Sequence, residues 1–311
     1  QLSGDFGYQF NHREEWSAFH THYDTQVMPA KDPDRELVFK LHTFSSSLKL
    51  RLSSSSSWEH MAGWNMQIQK NAIGGYSFLL PEYKRFTTGA FWLTTFRLDN
   101  QLSVTGGIRY DRGRIDITAF EDPYLVEYLH RQGYEEEVIQ AYRWRSYPVD
   151  RAYGNYSCSA GVVWTPAAGH LLKMNVGRSF RLPGVNELAS NGVHHGTFRH
   201  EKGDATLSSE QGWQIDASYT LAYKKMELVV SSFASWFDNY IYLRPMGEWS
   251  VLPHAGQIYQ YSGARALFMG GEINFNMDFL RHFNYRLVGE YVYTYNRDEH
   301  TALSFSPPVS M

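Results

Sequence analysis

The chain has 311 residues, a formal net charge of −3, 16% aromatic residues and a mean hydropathy of −0.45. It holds no run of about 18 apolar residues, which excludes a helical membrane protein, and it lacks the basic surplus of a nucleic-acid-binding protein. The single Cys158 excludes an intrachain disulfide framework and a cysteine-rich metal site. It lies in the alternating run Tyr156–Ala160 and reads as a small packed side chain. No basic segment followed by an apolar run opens the chain, so the expectation is a mature protein or a piece of one. Many aromatics at low hydropathy suit both a soluble all-β protein and a membrane barrel, whose strands are apolar on one face only.

Taken in chain order, period-two alternation predicts about eleven strands, near 4–16, 37–52, 58–70, 83–98, 101–117, 150–164, 170–180, 210–222, 226–242, 258–279 and 284–297. In the fifth, Leu102, Val104, Ile108 and Tyr110 oppose Gln101, Ser103, Thr105, Arg109 and Asp111. In the seventh, Leu172, Met174 and Val176 oppose Lys173, Asn175 and Ser179. The eighth sets Trp213, Ile215, Ala217, Tyr219 and Leu221 against Gln214, Asp216, Ser218 and Thr220. The tenth sets Ile273, Phe275, Met277 and Phe279 against Glu272, Asn274, Asn276 and Asp278.

The connections decide the class. Short links (Ser53–Ser57, Asp99–Asn100, Thr165–Gly169, Ala222–Lys225, Leu280–Phe283) follow the even strands. Long ones (Ser17–Glu36, Ala72–Glu82, Thr118–Val149, Arg181–Ser209, Leu243–Gln257 and the tail after Asp298) follow the odd strands. This alternation puts tight turns at one rim and long loops at the other, as in an all-β transmembrane antiparallel up-and-down barrel of the outer membrane. A Greek-key sandwich does not keep that order.

Trp58, Trp64, Trp92, Trp164, Trp213 and Trp236 fall near strand ends or on apolar faces, as interface girdles require. Within Asp122–Arg145, Tyr124, Leu125, Tyr128 and Leu129, then Val138, Ile139 and Tyr142, recur at helical spacing, split by Gly133. Two short helices are expected there, either as a lid over a site or as a loop packed on itself. Single-chain bacterial barrels have even strand counts and no open edge. The tail Ser304–Pro308 reads as a loop leading toward a further strand. Residues 1–311 are therefore expected to be part of a larger barrel.

The segment after the seventh strand is the most particular. It reads Ser179-Phe180-Arg181-Leu182-Pro183, Asn186-Glu187-Leu188 and Asn191-Gly192-Val193-His194-His195-Gly196, closing with Glu201-Lys202-Gly203-Asp204-Ala205-Thr206-Leu207. It resembles the late-barrel segment of TonB-dependent receptors, where a Phe-Arg-Ala-Pro box and an Asn-Pro-Asn-Leu box bracket a long outer loop. Here Leu182 stands where the family has Ala, and Gly203–Leu207 takes the second box in relaxed form. Gly106-Gly107-Ile108-Arg109-Tyr110-Asp111 resembles a barrel strand of that family, and Leu252-Pro253 with Gln257, Tyr261, Ala264 and Gly271-Glu272 its next hairpin. The resemblance covers residues 80–311 by motif and the first 80 by pattern alone.

The resemblance implies a barrel of about 22 strands around a plug, here a partial C-terminal barrel domain without the plug and the final strands. It implies a receptor in the bacterial outer membrane that binds a scarce ligand, namely haem, a metal or a ferric chelate. Import would be energised by the inner-membrane coupling complex acting through the plug. No prosthetic group is implied, because haem or a divalent metal would be the transported ligand.

Four groups of residues are candidates for contact with such a ligand. His194 and His195 lie between the two boxes, where haem receptors of the family place a His, and imidazole suits haem iron and zinc. His200, Glu201 and Asp204 add nitrogen and oxygen donors, so that His194, His195, Glu201 and Asp204 form one conceivable metal set. The same histidines also read as architectural, bonding loop carbonyls. His20 and His22, with Tyr23 and Asp24, form a second cluster, read either as metal donors or as solvated loop residues. Arg181, with Arg109, Arg112, Arg114 and Arg178, reads either as a mouth lining for an anionic chelate or as a partner of Asp111, Asp116, Glu210 and Asp216.

No nucleophile–base pair supports an enzyme. The expected partners are membrane lipid, a small-molecule ligand and the coupling complex, with no nucleic acid. A second reading stands beside this one: a barrel whose loops bind a partner protein or surface lipoprotein, or a receptor for a glycan or cobalamin.

Overall fold

The computed structural model describes residues 1–21, 23–53, 55–194, 197–279 and 282–303, with the side chain of His194 excepted. His22, His195 and the tail Ser304–Pro308 lie outside the described residues. The first strands are β1 (Leu2–Trp16), β2 (Arg35–Ser53), β3 (Trp58–Gly74), β4 (Tyr83–Arg97) and β5 (Leu102–Ile117). The loop after them holds β6 (Phe120–Glu121), α1 (Pro123–Arg131), α2 (Glu136–Tyr142) and β7 (Trp144–Ser146). Then come β8 (Val149–Trp164) and β9 (His170–Arg181), followed by α3 (Val185–Ala189), β10 (Asn191–His194) and β11 (Arg199–Lys202). The chain continues with β12 (Glu210–Tyr223), β13 (Met226–Trp249), β14 (Gln257–Phe279) and β15 (Phe283–Asn296).

Eleven long strands pair antiparallel in the order β1-β2-β3-β4-β5-β8-β9-β12-β13-β14-β15. Each is hydrogen-bonded to the next long strand in sequence, the inter-strand bonding of backbone groups that lipid demands. Among the described residues β1 and β15 do not pair with each other, so the sheet is an open arc. β13 runs on to Trp249, beyond the end at 242 that the alternation indicated, and pairs with the start of β14, reducing the loop read at 243–257 to residues 250–256.

Register fixes the two faces. Trp92 opposes Ile108, Ile108 opposes Cys158, Cys158 opposes Arg178, and Arg178 opposes Trp213. Directly opposed residues share a face, and this face also carries Trp58, Trp64, Met174, Val176 and Ile273. Phe6, Ile108 and Met174 are 72%, 68% and 53% exposed. A continuous apolar face of this size would aggregate in water and is at home only against lipid.

The other face carries Arg109, Asp111, Lys173, Asn175, Gln214 and Asp216. There Arg109 Nε donates to Asp111 Oδ2 at 2.6 Å, and Glu59 takes both Arg51 and Arg97 at 3.1 Å near the short-turn rim. A hollow of about 520 Å³ opens on this face, lined by Lys173, Asp216, Ser231, Glu272 and Glu290 among others. It is the lumen side. Cys158, half-exposed on the lipid side, is not packed into a core.

Candidate functional site

The long loops gather at one rim. Asp122 starts α1: its Oδ1 accepts from the backbone N of Tyr124 and Leu125 at 3.1 and 3.2 Å, and Pro123 supplies a preset φ at the first helical position. Gly133, at φ +77°, makes the turn between α1 and α2 that a side chain would strain. Leu125, Leu129, Ile139 and Tyr142 of these helices are buried together with Tyr23, Val193, Leu252 and Ala255. Four separate outer loops thus share one apolar core. The two-helix segment packs on itself and also clamps its neighbours, with Thr25 Oγ1 donating to the Tyr124 carbonyl at 2.6 Å.

The segment after β9 turns inward. Leu182 passes so close to Gly113 on the lumen face of β5 that a Cβ there would collide with its Cδ1. Arg181 then donates to Glu187 Oε2 at 2.8 Å and to Glu210 Oε2 at 3.0 Å, bridging both ends of the loop. Glu187 Oε2 also accepts from the N of Gly184 at 2.7 Å. Pro183 and Leu188 are fully buried, and Leu188 and Ala189 pack with Ile115, Ile117, Val149, Leu207 and Ile241. Asn186 Nδ2 donates to Tyr261 Oη at 2.9 Å. The strand pair β10–β11 joins the sheet by a parallel pairing, His200 opposite Ile258 and Lys202 opposite Gln260.

Among the described residues, the candidate ligand side chains are not gathered into one cage. His200 is fully buried, with Nε2 2.9 Å from Asn191 Oδ1 and Nδ1 2.8 Å from Ser250 Oγ. Both of its nitrogens are spent on loop structure. Burial, with Lys202 and Arg145 nearby, pushes its pKa down to about 3. Glu201 is engaged by Arg199 at 2.9 Å and by Tyr261 Oη at 3.1 Å. Asp204 Oδ1 closes a local turn by accepting from the N and Oγ1 of Thr206. Among the described residues no three His, Cys, Asp or Glu side chains are placed to hold a metal.

The second cluster also separates. Tyr23 is 5% exposed and its Oη accepts from Arg145 Nη1 at 2.9 Å, so it is a core residue rather than a solvated one, and burial raises its pKa. His20 instead lies by Ser17 and Tyr76.

The arginines divide by parity. Arg109 faces the lumen and pairs with Asp111, and Arg181 pairs with Glu210. Arg112, Arg114 and Arg178 fall on the lipid side with Ile108 and Tyr110, which fits neither expectation for them, a lining of the mouth or a pairing with the lumen carboxylates. Arg114 there pairs with Asp150, and Arg178 lies 3.9 Å over the Tyr156 ring. Arg145 carries no signal in the sequence. It is 6% exposed in the cap and lines two adjoining cavities of about 290 and 530 Å³.

Solved structures share this fold. The copper transporter OprC is similar over 99% of this chain and 46% of its own, with 14% identity and a TM-score of 0.71. The FrpB iron transporter from Neisseria meningitidis, F3-3 variant, is similar over 96% of this chain and 42% of its own, with 12% identity and a TM-score of 0.60. A double mutant of the Serratia marcescens hemophore receptor HasR, in complex with its hemophore HasA and heme, is similar over 84% of this chain and 42% of its own, with 19% identity and a TM-score of 0.57. At such identities these likenesses show the fold, and the chain spans less than half the length of each. No curated protein matches. The family model described as TonB dependent receptor-like, beta-barrel, matches residues 1–310, and the chain belongs to that family of outer-membrane receptors, which are not enzymes.

Proposed function

We propose that this chain forms barrel wall and outer cap of a receptor that captures a metal, haem or a ferric chelate at the cell surface for energised import. The observation that carries the reading is the single apolar core joining four outer loops above a polar lumen. Such a core turns separate loops into one preorganised capture surface, which lowers the ordering cost of binding. The copper, iron and haem named for the structural neighbours support the ligand class. Further strands of the same barrel close the free edges of β1 and β15, and a plug in the lumen links ligand capture to the inner-membrane coupling complex.

His194, the last residue of β10, and His195 after it in sequence are the residues proposed to touch the ligand. The test is calorimetric titration of the intact receptor in detergent with haem, Cu²⁺ and a ferric chelate in turn. One of them is expected to bind saturably, and His194→Ala/His195→Ala to weaken that binding at least tenfold while heat-modifiable gel migration stays normal. Absence of binding by all three would refute the ligand class. Unchanged affinity in the double variant would refute the histidine role alone.

A further inference from the structure

We propose that Arg145 anchors a carboxylate arm of the incoming ligand in the smaller of the two cap cavities, a subsite that rests on the receptor reading and adds to it the charge and size of what enters. Arg145 follows α2 on β7 and is carried into the centre of the cap. Its side chain is only 6% exposed, yet its charge is poorly neutralised. Nη1 donates to the neutral Tyr23 Oη at 2.9 Å, and its nearest carboxylate, Asp122 Oδ2, is 3.9 Å away. Asp122 is itself committed to the N-terminus of α1 through Oδ1. Among the described residues, the Nε–H of Arg145 has no partner. A buried cation in this state is costly, and an anion received in the fork of the guanidinium removes the cost.

The surroundings give that anion a shape. Gly192 lies against the guanidinium: a Cβ there would collide with Nε and sit 2.8 Å from Cζ and 2.9 Å from Nη2, in the space beside the unpartnered Nε–H. Glycine thus keeps open the side of Arg145 that borders the cavity of about 290 Å³. Phe78, Leu79 and Leu80 form an apolar wall of this cavity, and Asn186 and Tyr261 a polar one. Glu201, also on its lining, is already held by Arg199 and Tyr261 and so is not the counter-ion of Arg145. His200 faces the same place, its pKa pushed down mainly by burial and further by the charges of Lys202 and Arg145. The volume lies at the bottom of the range for small-molecule sites. It fits one flat, apolar, carboxylate-bearing arm and not a whole chelate.

The probe is benzoate, with benzamide as its uncharged isostere, followed by ligand-observed NMR on the intact receptor. Benzoate is expected to bind saturably and benzamide at least tenfold more weakly. Arg145→Gln should weaken benzoate about tenfold to a hundredfold, the effect of losing a charge-assisted hydrogen bond. Because Arg145→Gln also disturbs Tyr23, Leu80→Trp serves to fill the cavity from its apolar wall while leaving the Arg145 side chain unsubstituted. It should abolish benzoate binding while resistance of the loops to limited proteolysis is kept. Equal binding of benzoate and benzamide, or benzoate binding untouched by both substitutions, overturns the subsite. A receptor that binds its metal, haem or chelate unaffected by Arg145→Gln likewise overturns the subsite and leaves the receptor reading standing. Benzoate bound at Arg145 in a receptor that takes none of the three cargoes supports the subsite and removes the receptor reading.

Discussion

The side chain of Asn191 fixes the tautomer of His200. Its Nδ2 donates to the carbonyls of Ala141 and Trp144 at 2.9 and 2.7 Å, so its Oδ1 accepts, and the proton of His200 sits on Nε2. Ser250 Oγ, which also accepts from the N of Leu252 at 3.1 Å, then donates to His200 Nδ1. One neutral imidazole therefore ties the segment after α2, the β10–β11 pair and the loop between β13 and β14.

Acid should loosen the cap. With a folded pKa of about 3, below the usual value of 6.5, His200 binds fewer protons folded than unfolded between those two values. Its contribution to cap stability is full above about pH 6.5 and is lost as pH falls toward 3, by up to about 1.4 kcal/mol per pH unit. Hydrogen exchange of residues 191–202 in the intact receptor, corrected for intrinsic rates, should show more frequent opening at pH 5 than at pH 7.5. His200→Gln should flatten that dependence. Identical protection at both pH values in the unmodified receptor would falsify the assignment.

Arg181 holds the two ends of the loop after β9, facing Glu187 and Glu210, each only 13% exposed. Removing the cation leaves two neighbouring carboxylates without it. Arg181→Ala should destabilise this loop by about 1–3 kcal/mol, below the full cost for a buried pair because the arginine itself is 43% exposed. Protease cleavage within residues 182–209 should accelerate, and Arg181→Ala/Glu187→Gln should recover part of the loss. A cleavage rate equal to that of the unmodified receptor would place the anchor elsewhere.

The barrel wall was legible because period two persists along every long strand, and each predicted strand corresponds to an observed one. The parity that placed Ile108 and Tyr110 outward also determined the side of Arg112 and Arg114, a signal in the sequence that the charge of those residues obscured. The cap was half legible. Helical spacing revealed α1 and α2, but β10, β11 and α3 are too short to carry a period and are held by pairing with distant β14 and by packing on β5 and β8. Tyr23 belongs to the core only through residues far along the chain, from Leu125 to Ala255, and Arg145 gains its meaning only from Gly192 and Asp122. Such contacts leave no local pattern.

Depth in the bilayer predicts a graded cost of charge on β9. Tyr156 and Trp164, both on the lipid side, are eight residues apart and bracket the apolar band. At about 3.3 Å per residue and a tilt of about 40°, they are separated by roughly 20 Å along the membrane normal. Ala160, midway, opposes Val176, whereas Leu172 opposes Trp164 at the girdle. Val176→Arg should therefore cost about 2–4 kcal/mol in a bilayer-folding titration, and Leu172→Arg about 0–1 kcal/mol. Equal costs would show that the band is misplaced along the strand.

Cys158 offers a chemical reading of the same face. Its position opposite Ile108, two residues along β8 from Tyr156, puts the thiol inside the apolar band. In receptor reconstituted in vesicles, a lipid-soluble maleimide should alkylate Cys158, and a charged methanethiosulfonate should leave it intact. Peptide mass mapping separates it from cysteines elsewhere in a longer protein. Because strand side chains alternate, moving the thiol by one residue transfers it to the lumen. Cys158→Ser combined with Ser157→Cys should therefore reverse the preference and raise reaction with the charged reagent. Rapid reaction of Cys158 itself with that reagent would mean that β8 is turned with its polar face to lipid, and the assignment of both faces, shared along the register from Trp92 to Trp213, would reverse with it.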